Sequence, residues 1–165
     1  MAFLLLIRNA TIRDLDVITS VEAACFSPAE AATRDTLADR LHRYPDHFWL
    51  LFEDETLVSF LDGFVTDLPD LTDDMFEHAE LHDENGQWQM IFGVNTIPSR
   101  RRRGHAGTLI DCAIRDAERQ GRKGVVLTCK DEMIPYYAKF GFITECKGLS
   151  RHAGVAWNQM RLRFD

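Results

Sequence analysis

Apolar positions along the chain fall into blocks that alternate between the spacing of a strand and that of a helix. Leu4 to Ile7 is a short apolar strand candidate, and Thr11-Ile12-Arg13-Asp14 leads into a helix. Leu15, Ile18, Val21 and Glu22 to Cys25 give a helical stripe that ends before Ser27-Pro28. A second helix is expected from Pro28 or Ala29 to about His42, carrying Ala32, Leu37 and Leu41, with Pro45 and Asp46 ending it. Phe48 to Phe52 and Leu57 to Val65 flank the acidic turn Glu53-Asp54-Glu55 and read as a β-hairpin. Leu68 to Gly86 is polar and acidic, with a helical turn expected around Asp73 to Ala79; a segment of this kind is often functional or mobile.

The strongest pattern lies between Met90 and Phe142. Met90 to Ile97 is an apolar, β-branched run of the buried-strand type, broken by Pro98 and Ser99. A basic, glycine-bearing loop follows, Arg101-Arg102-Arg103-Gly104-His105-Ala106-Gly107, and runs into a helix. Ile110, Ala113, Ile114 and Ala117 share one face of that helix, and Gly121 stops it. Gly124 to Cys129 is a second buried strand. Ile143 to Cys146 and Val155 to Phe164 are further strand candidates, joined across Gly148 to Gly154. No repeat, linker or low-complexity tract interrupts the chain, so one α/β domain over residues 1–165 is expected.

Strand, glycine loop, helix and strand in that order make an anion site. A helix N-terminus presents unpaired N–H groups and the positive end of the dipole. Gly104, Ala106 and Gly107 let a phosphate approach the backbone, and the arginines add charge around it. The competing reading is a solvated basic turn. The loop matches neither G-x-x-x-x-G-K-[ST] nor G-x-G-x-x-G, which disfavours a nucleoside triphosphate or a dinucleotide.

Composition narrows the setting. The 165 residues, 45% hydrophobic, suit a sizeable core. No apolar run approaches a membrane span, and Phe3 to Ile7 is too short for a signal-peptide core. Cys25, Cys112, Cys129 and Cys146 lie far apart and read as reduced, mostly buried thiols of a cytoplasmic protein. A formal net charge of −7 argues against nucleic acid as a partner and suits a cationic substrate.

Arg101-x-x-Gly104-x-Ala106 and, downstream, Tyr136-Tyr137-Ala138-Lys139-Phe140-Gly141-Phe142 together resemble the GNAT superfamily of acyl-CoA-dependent N-acetyltransferases. The first matches the superfamily's pyrophosphate loop, R/Q-x-x-G-x-G/A. The second matches its short helix bearing an aromatic residue and a tyrosine before a Gly-Phe turn. The wording is most similar to the arylalkylamine (serotonin-type) N-acetyltransferases, and Glu22-Ala23-Ala24-Cys25-Phe26-Ser27-Pro28 resembles that family's first helix and following loop. The resemblance runs from about Ile12 to Phe164.

It implies an α+β fold, a mixed and mostly antiparallel sheet flanked by helices. It also implies direct acetyl transfer from acetyl-CoA to a primary amine. The pantetheine arm would lie between the Met90–Ile97 strand and the strand ending at Cys129, bonded by backbone groups of Val94, Asn95 and Thr96. N–H groups from Arg102 through Arg103, Gly104, His105, Ala106 and Gly107 would hold the pyrophosphate. Tyr137 occupies the family's general-acid position, facing the thioester sulfur; the alternative is a packed core aromatic. A strand N–H would stabilise the oxyanion.

The base has no such match. The arylalkylamine enzymes carry two histidines on the strand before the loop, and those positions here are Met90 and Phe92. Glu80, His82 and Glu84 are candidate substitutes, as are Asp131 and Glu132. His78 and His82, four apart, suggest a metal pair, but with no third ligand in register a solvated surface is preferred and no metal is expected. His105 could touch a phosphate or be a solvated loop residue. Cys129 reads as a packed thiol rather than a nucleophile. Trp49, Phe60, Phe64, Phe76 and Trp88 could line an aromatic pocket or form core. A small-molecule amine is therefore the expected partner, without nucleic acid or membrane, and a homodimer is left open. The rivals are a protein or peptide acceptor and a non-catalytic acyl-CoA sensor.

Overall fold

The computed structural model describes residues 2–152 and 155–165, with side chains 146–156 outside the description. In chain order the elements begin with β1 (Leu5–Asn9), α1 (Leu15–Cys25), α2 (Arg34–Arg43), β2 (Phe48–Glu53), β3 (Thr56–Asp62) and β4 (Val65–Thr66). There follow β5 (Trp88–Ile91), β6 (Gly93–Thr96), α3 (His105–Arg119), β7 (Gly124–Cys129), α4 (Ile134–Ala138), β8 (Ile143–His152) and β9 (Val155–Arg163). They form two compact units. One comprises the chain up to Gly63 with Gly93–Ala113, the other Phe64–Phe92 with Ile114–Asp165.

The first unit holds an antiparallel sheet ordered β1-β2-β3-β6. Helix α1 exists because Leu15, Ile18 and Val21 present one buried stripe, and the chain enters it through a capping box. In that box Thr11 N–H donates to Asp14 Oδ2 at 2.8 Å, and the Thr11 hydroxyl accepts from Arg13 N–H. Phe48, Leu50 and Phe60 are fully buried, and with Ile18, Leu37 and Leu41 they make the unit's core. Helix α2 starts at Arg34, later than the Pro28 or Ala29 expected. The Ser27 carbonyl accepts from both Glu30 and Ala31 N–H, closing a turn, and the Thr33 side chain then caps the helix through Thr36 N–H.

The second unit holds a sheet ordered β4-β5-β7-β9-β8. Its β5–β7 pair is parallel and its other pairs are antiparallel, so the fold is the mixed, mostly antiparallel one that was expected. Strand β7 has the predicted bounds. The run from Met90 to Ile97, expected as one strand, is two: β5 pairs with β7, β6 pairs with β3, and Phe92 separates them. The expected Leu57–Val65 strand divides likewise, since β3 ends at Asp62 and Val65 belongs to β4. Apolar composition reports burial and carries no information about a change of partner strand. The polar Leu68 to Gly86 segment contains two 3-10 turns, Asp73–Phe76 and Ala79–Leu81. Strand β8 extends to His152, through part of the expected Gly148–Gly154 connection; Ala153, Gly154 and the Cys146 thiol lie outside the described residues. Among the described residues no helix is long and apolar enough to cross a membrane.

Candidate active site

In the first unit the basic loop is fastened from below. Arg100 Nε donates to Glu53 Oε1 at 2.7 Å, His105 Nε2 lies 2.8 Å from Glu53 Oε2, and Arg103 Nη1 is 3.6 Å from the same oxygen. Burial would raise the Glu53 carboxyl, but the bonds from His105 and Arg100 outweigh it and hold the group below the usual carboxylate range. Arg101 Nε donates to the Thr96 carbonyl at 2.9 Å, pinning the loop to β6. Arg102 and Gly104 take positive φ, 64° and 82°, which folds the main chain back on itself before α3.

Helix α3 then begins at His105 and runs for 15 residues. Thr108 N–H donates to the Gly104 carbonyl at 3.0 Å. The N–H groups of His105, Ala106 and Gly107 thus have no intrahelical acceptor and sit at the positive end of the dipole. Arg102, Arg103 and Gly104 are exposed beside them. A helix start of this kind, with basic residues beside it, favours an anion. The His105 side chain is buried against Glu53, so it neither projects toward a phosphate nor stands in solvent; only its main chain can serve an anion.

Strand β6 is the edge of its sheet. Ile97 N–H donates to the Val58 carbonyl at 2.9 Å, and an antiparallel ladder repeats its bonding every second residue. Asn95 therefore turns its main chain to Phe60 on β3, while Val94 and Thr96 direct theirs to the open edge. A pantetheine bond from the Asn95 main chain, expected from sequence, conflicts with this alternation. Thr96 keeps its N–H for the edge, its carbonyl already accepting from Arg101 and from Cys25 Sγ at 3.3 Å. The Val94 N–H faces the same open edge.

Beneath β6 lies a polar cluster that sequence reasoning missed. Glu22 Oε1 accepts from Asn95 Nδ2 at 2.8 Å and Glu22 Oε2 from Ala32 N–H at 2.8 Å. Arg40 Nη1 donates to Asp62 Oδ2 at 2.8 Å, both side chains being buried. Burial, then the nearby Asp62 carboxylate, pushes the Glu22 carboxyl up. The signal for this cluster was present: Glu22 sits on the apolar stripe of α1, and Asp62 interrupts the apolar run of β3.

In the second unit Tyr137 is buried on α4, edge-on to Tyr136 at 5.2 Å and to Phe142 at 6.2 Å. Burial, with smaller effects of Cys129 and Tyr136, raises its hydroxyl well above the ordinary tyrosine range, so the phenol keeps its proton throughout the working pH range. The Cys129 thiol is pushed up to about 11 by burial and by Asp131 and Glu132, and its Sγ contacts Met160 Sδ at 3.6 Å. A thiol so held stays protonated, which fits the packed reading rather than a nucleophile.

Three of the substitute bases, Glu80, His82 and Glu84, are bonded elsewhere. Val65 N–H donates to His82 Nδ1 at 3.0 Å, which leaves Nε2 carrying the proton toward Glu84 Oε1 at 3.0 Å. Glu84 Oε2 accepts from Arg122 Nη2, and Glu80 bonds His78. Met90 is fully buried, and Phe92 lies 4.9 Å from the rings of both Phe64 and Phe76. Trp49, Phe60, Phe64 and Trp88 are buried core within their own units.

The profile of the acetyltransferase (GNAT) family matches residues 15–142. No protein of curated function matches the chain. Among solved structures, the loading GNATL domain of CurA from Lyngbya majuscula superposes with a TM-score of 0.86 at 16% identity, covering 97% of this chain and 98% of that one. The GphF GNAT-like decarboxylase in complex with isobutyryl-CoA gives 0.83 at 20% identity, with 96% and 98% covered. The ribosomal-protein-S18-alanine N-acetyltransferase from Escherichia coli gives 0.73 at 15%, with 97% and 94% covered. With a profile match over most of its length, on the fold those structures share, the chain belongs to the acetyltransferase (GNAT) family and is an acyltransferase that takes acetyl-CoA as co-substrate.

Proposed function

We propose that residues 1–165 work as one catalytic domain that transfers the acetyl group of acetyl-CoA directly to a small primary amine. The observation that carries this reading is Tyr137, a buried phenol that keeps its proton, at the position where the family's acid stands. The N–H groups at the start of α3 hold the pyrophosphate, with Arg102 and Arg103 beside it. The Val94 carbonyl and the Thr96 N–H, both on the open edge of β6, bond the pantetheine arm. Val94 N–H steadies the oxyanion, and Tyr137 protonates the departing thiolate. An arylalkylamine acceptor is one member of this substrate class, although Met90 and Phe92 provide no imidazole to deprotonate it.

The test measures CoA-thiol release from acetyl-CoA with tryptamine, phenethylamine, spermidine and short peptides, against an amine-free control. Tyr137→Phe is expected to lower kcat by about 10²-fold or more while leaving the acetyl-CoA Kd unchanged. Unchanged turnover removes Tyr137 from the mechanism. Release with peptides alone moves the acceptor to a protein terminus.

A second reading draws on the missing imidazoles and on the decarboxylase among the structural neighbours. Loss of CO₂ from a CoA-linked acid needs no base for an amine. Carbon dioxide release from malonyl-CoA, with no thiol freed by any amine, would select it.

A further inference from the structure

The first unit leaves an apolar sheet edge open. Among the described residues, β1 pairs with β2 alone. Leu4, Leu5, Leu6 and Ile7 are 78%, 53%, 50% and 38% exposed, and Phe3 before them is exposed as well. Side chains alternate between the two faces of a strand, so apolar groups stand bare on both faces. The usual guards of such an edge are a lysine, a proline or a bulge. Phe3 to Ile7 contains neither residue, and β1 runs along β2 without a break in register. The charge at Arg8 is engaged within its own chain. Its guanidinium donates to both Asp14 oxygens at 2.9 Å and lies 4.9 Å from the centre of the Phe52 ring.

We propose that two copies of this chain pair antiparallel through β1, about a two-fold axis at Leu6, joining their four-stranded sheets into one. The main chain of the edge is complementary to itself in that register. Asp54 N–H donates to the Leu4 carbonyl at 2.8 Å, so Leu4, Leu6 and Arg8 turn their main chains to β2. Leu5 and Ile7 turn theirs outward. An antiparallel copy centred on Leu6 sets Leu5 against Ile7 of the second copy, and Ile7 against its Leu5, as two hydrogen-bonded pairs. Leu6 then faces Leu6 of the second copy. Leu4 faces Arg8, so no two like charges stand opposite each other. With roughly 200 Å² for a fully exposed residue of this size, residues 3–7 leave about 500 Å² open on each copy. A pair thus hides about 1,000 Å², enough for a specific but weak and reversible dimer.

Sedimentation of the full chain over a rising concentration series is expected to show a monomer–dimer equilibrium in the micromolar range. Each copy carries a formal net charge of −7, so association should tighten as rising ionic strength screens the repulsion. Leu6→Lys sets two like charges face to face at an exposed position. It should weaken association by about 10²-fold or more while circular dichroism shows the fold kept. Cysteine substitution reads the register. The Cα atoms of a non-hydrogen-bonded pair lie about 4.5 Å apart, within reach of a disulfide, so oxidised Leu6→Cys should run as a covalent dimer. Leu4 stands about 14 Å from its copy in this register, so Leu4→Cys should not. Oxidised wild type is the blank for the native thiols. A monomer at every concentration overturns the proposal and leaves the edge to an extended segment of a different protein. A dimer that Leu6→Lys leaves intact overturns the surface. Cross-linking through Leu4→Cys and not through Leu6→Cys overturns the register.

Discussion

Glu53 shows how one side chain can set the shape of a loop it does not belong to. From the end of β2 it holds Arg100 and His105, which flank the four exposed residues 101–104. Glu53→Gln keeps the size and loses the charge, so the loop should loosen. The acetyl-CoA KM is expected to rise about tenfold with kcat little changed, a loss of ground-state and transition-state binding alike. The pH dependence has a definite sign. The Glu53 carboxyl lies lower in the folded chain than in the unfolded one. Its stabilisation is therefore complete above the unfolded value, about 4.3, and is lost as pH falls through the folded one. Urea melts of wild type and variant should differ at pH 7 and converge only as pH falls through the lowered folded value. At this scale the sequence was legible wherever a residue type has one ordinary use. Gly104 is an example, a loop glycine that takes the positive φ its type allows. Glu22 and Asp62 were not legible: a carboxylate in an apolar stripe is visible as an anomaly, but its partner is set by tertiary packing.

Among elements, those framed by local chemistry were the readable ones. Strand β7 lies between Gly124 and Cys129 as expected, and α3 begins at its glycine loop. The break at Phe92 was unreadable because β5 and β6 are equally apolar and differ only in the strands they pair with. The start of α2 was misplaced because Thr33 and the Ser27 turn compete with Pro28 as an entry signal. Gly124 has a further role inside β7. A Cβ there would lie 2.1 Å from the Leu162 carbonyl oxygen and 3.1 Å from Arg163 Cα, and β9 cannot yield without breaking its ladder. Gly124→Ala is expected to cost about 2–3 kcal/mol or more, as overpacking does. For a chain of this size that is a fall in Tm of roughly 4–12 °C, which calorimetry would read directly. An unchanged Tm would mean that β9 shifts freely.

The molecule as a whole carries a formal net charge of −7, yet its co-substrate is a polyanion. In the proposed site the exposed Arg101 to Arg103 reverse the sign of the field locally. At the ~8 Å screening length of physiological salt that reversal reaches little beyond the loop. The kcat/KM for acetyl-CoA should therefore fall as ionic strength rises, while kcat stays level. A flat response would assign acetyl-CoA capture to the helix N–H groups alone. Charge and composition were open to reading from the first; the division into two units was not, because each is assembled from separated stretches of chain. The first needs Gly93–Ala113 and the second opens at Phe64, so neither exists as one uninterrupted segment. During synthesis, β1, β2 and β3 leave the ribosome with the β6 side of their sheet still uncovered. That exposed edge must wait for some thirty residues of the other unit to pass before its partner strand arrives. The emerging chain thus has a window in which a chaperone, or a second nascent copy, competes with β6 for the same row of hydrogen bonds.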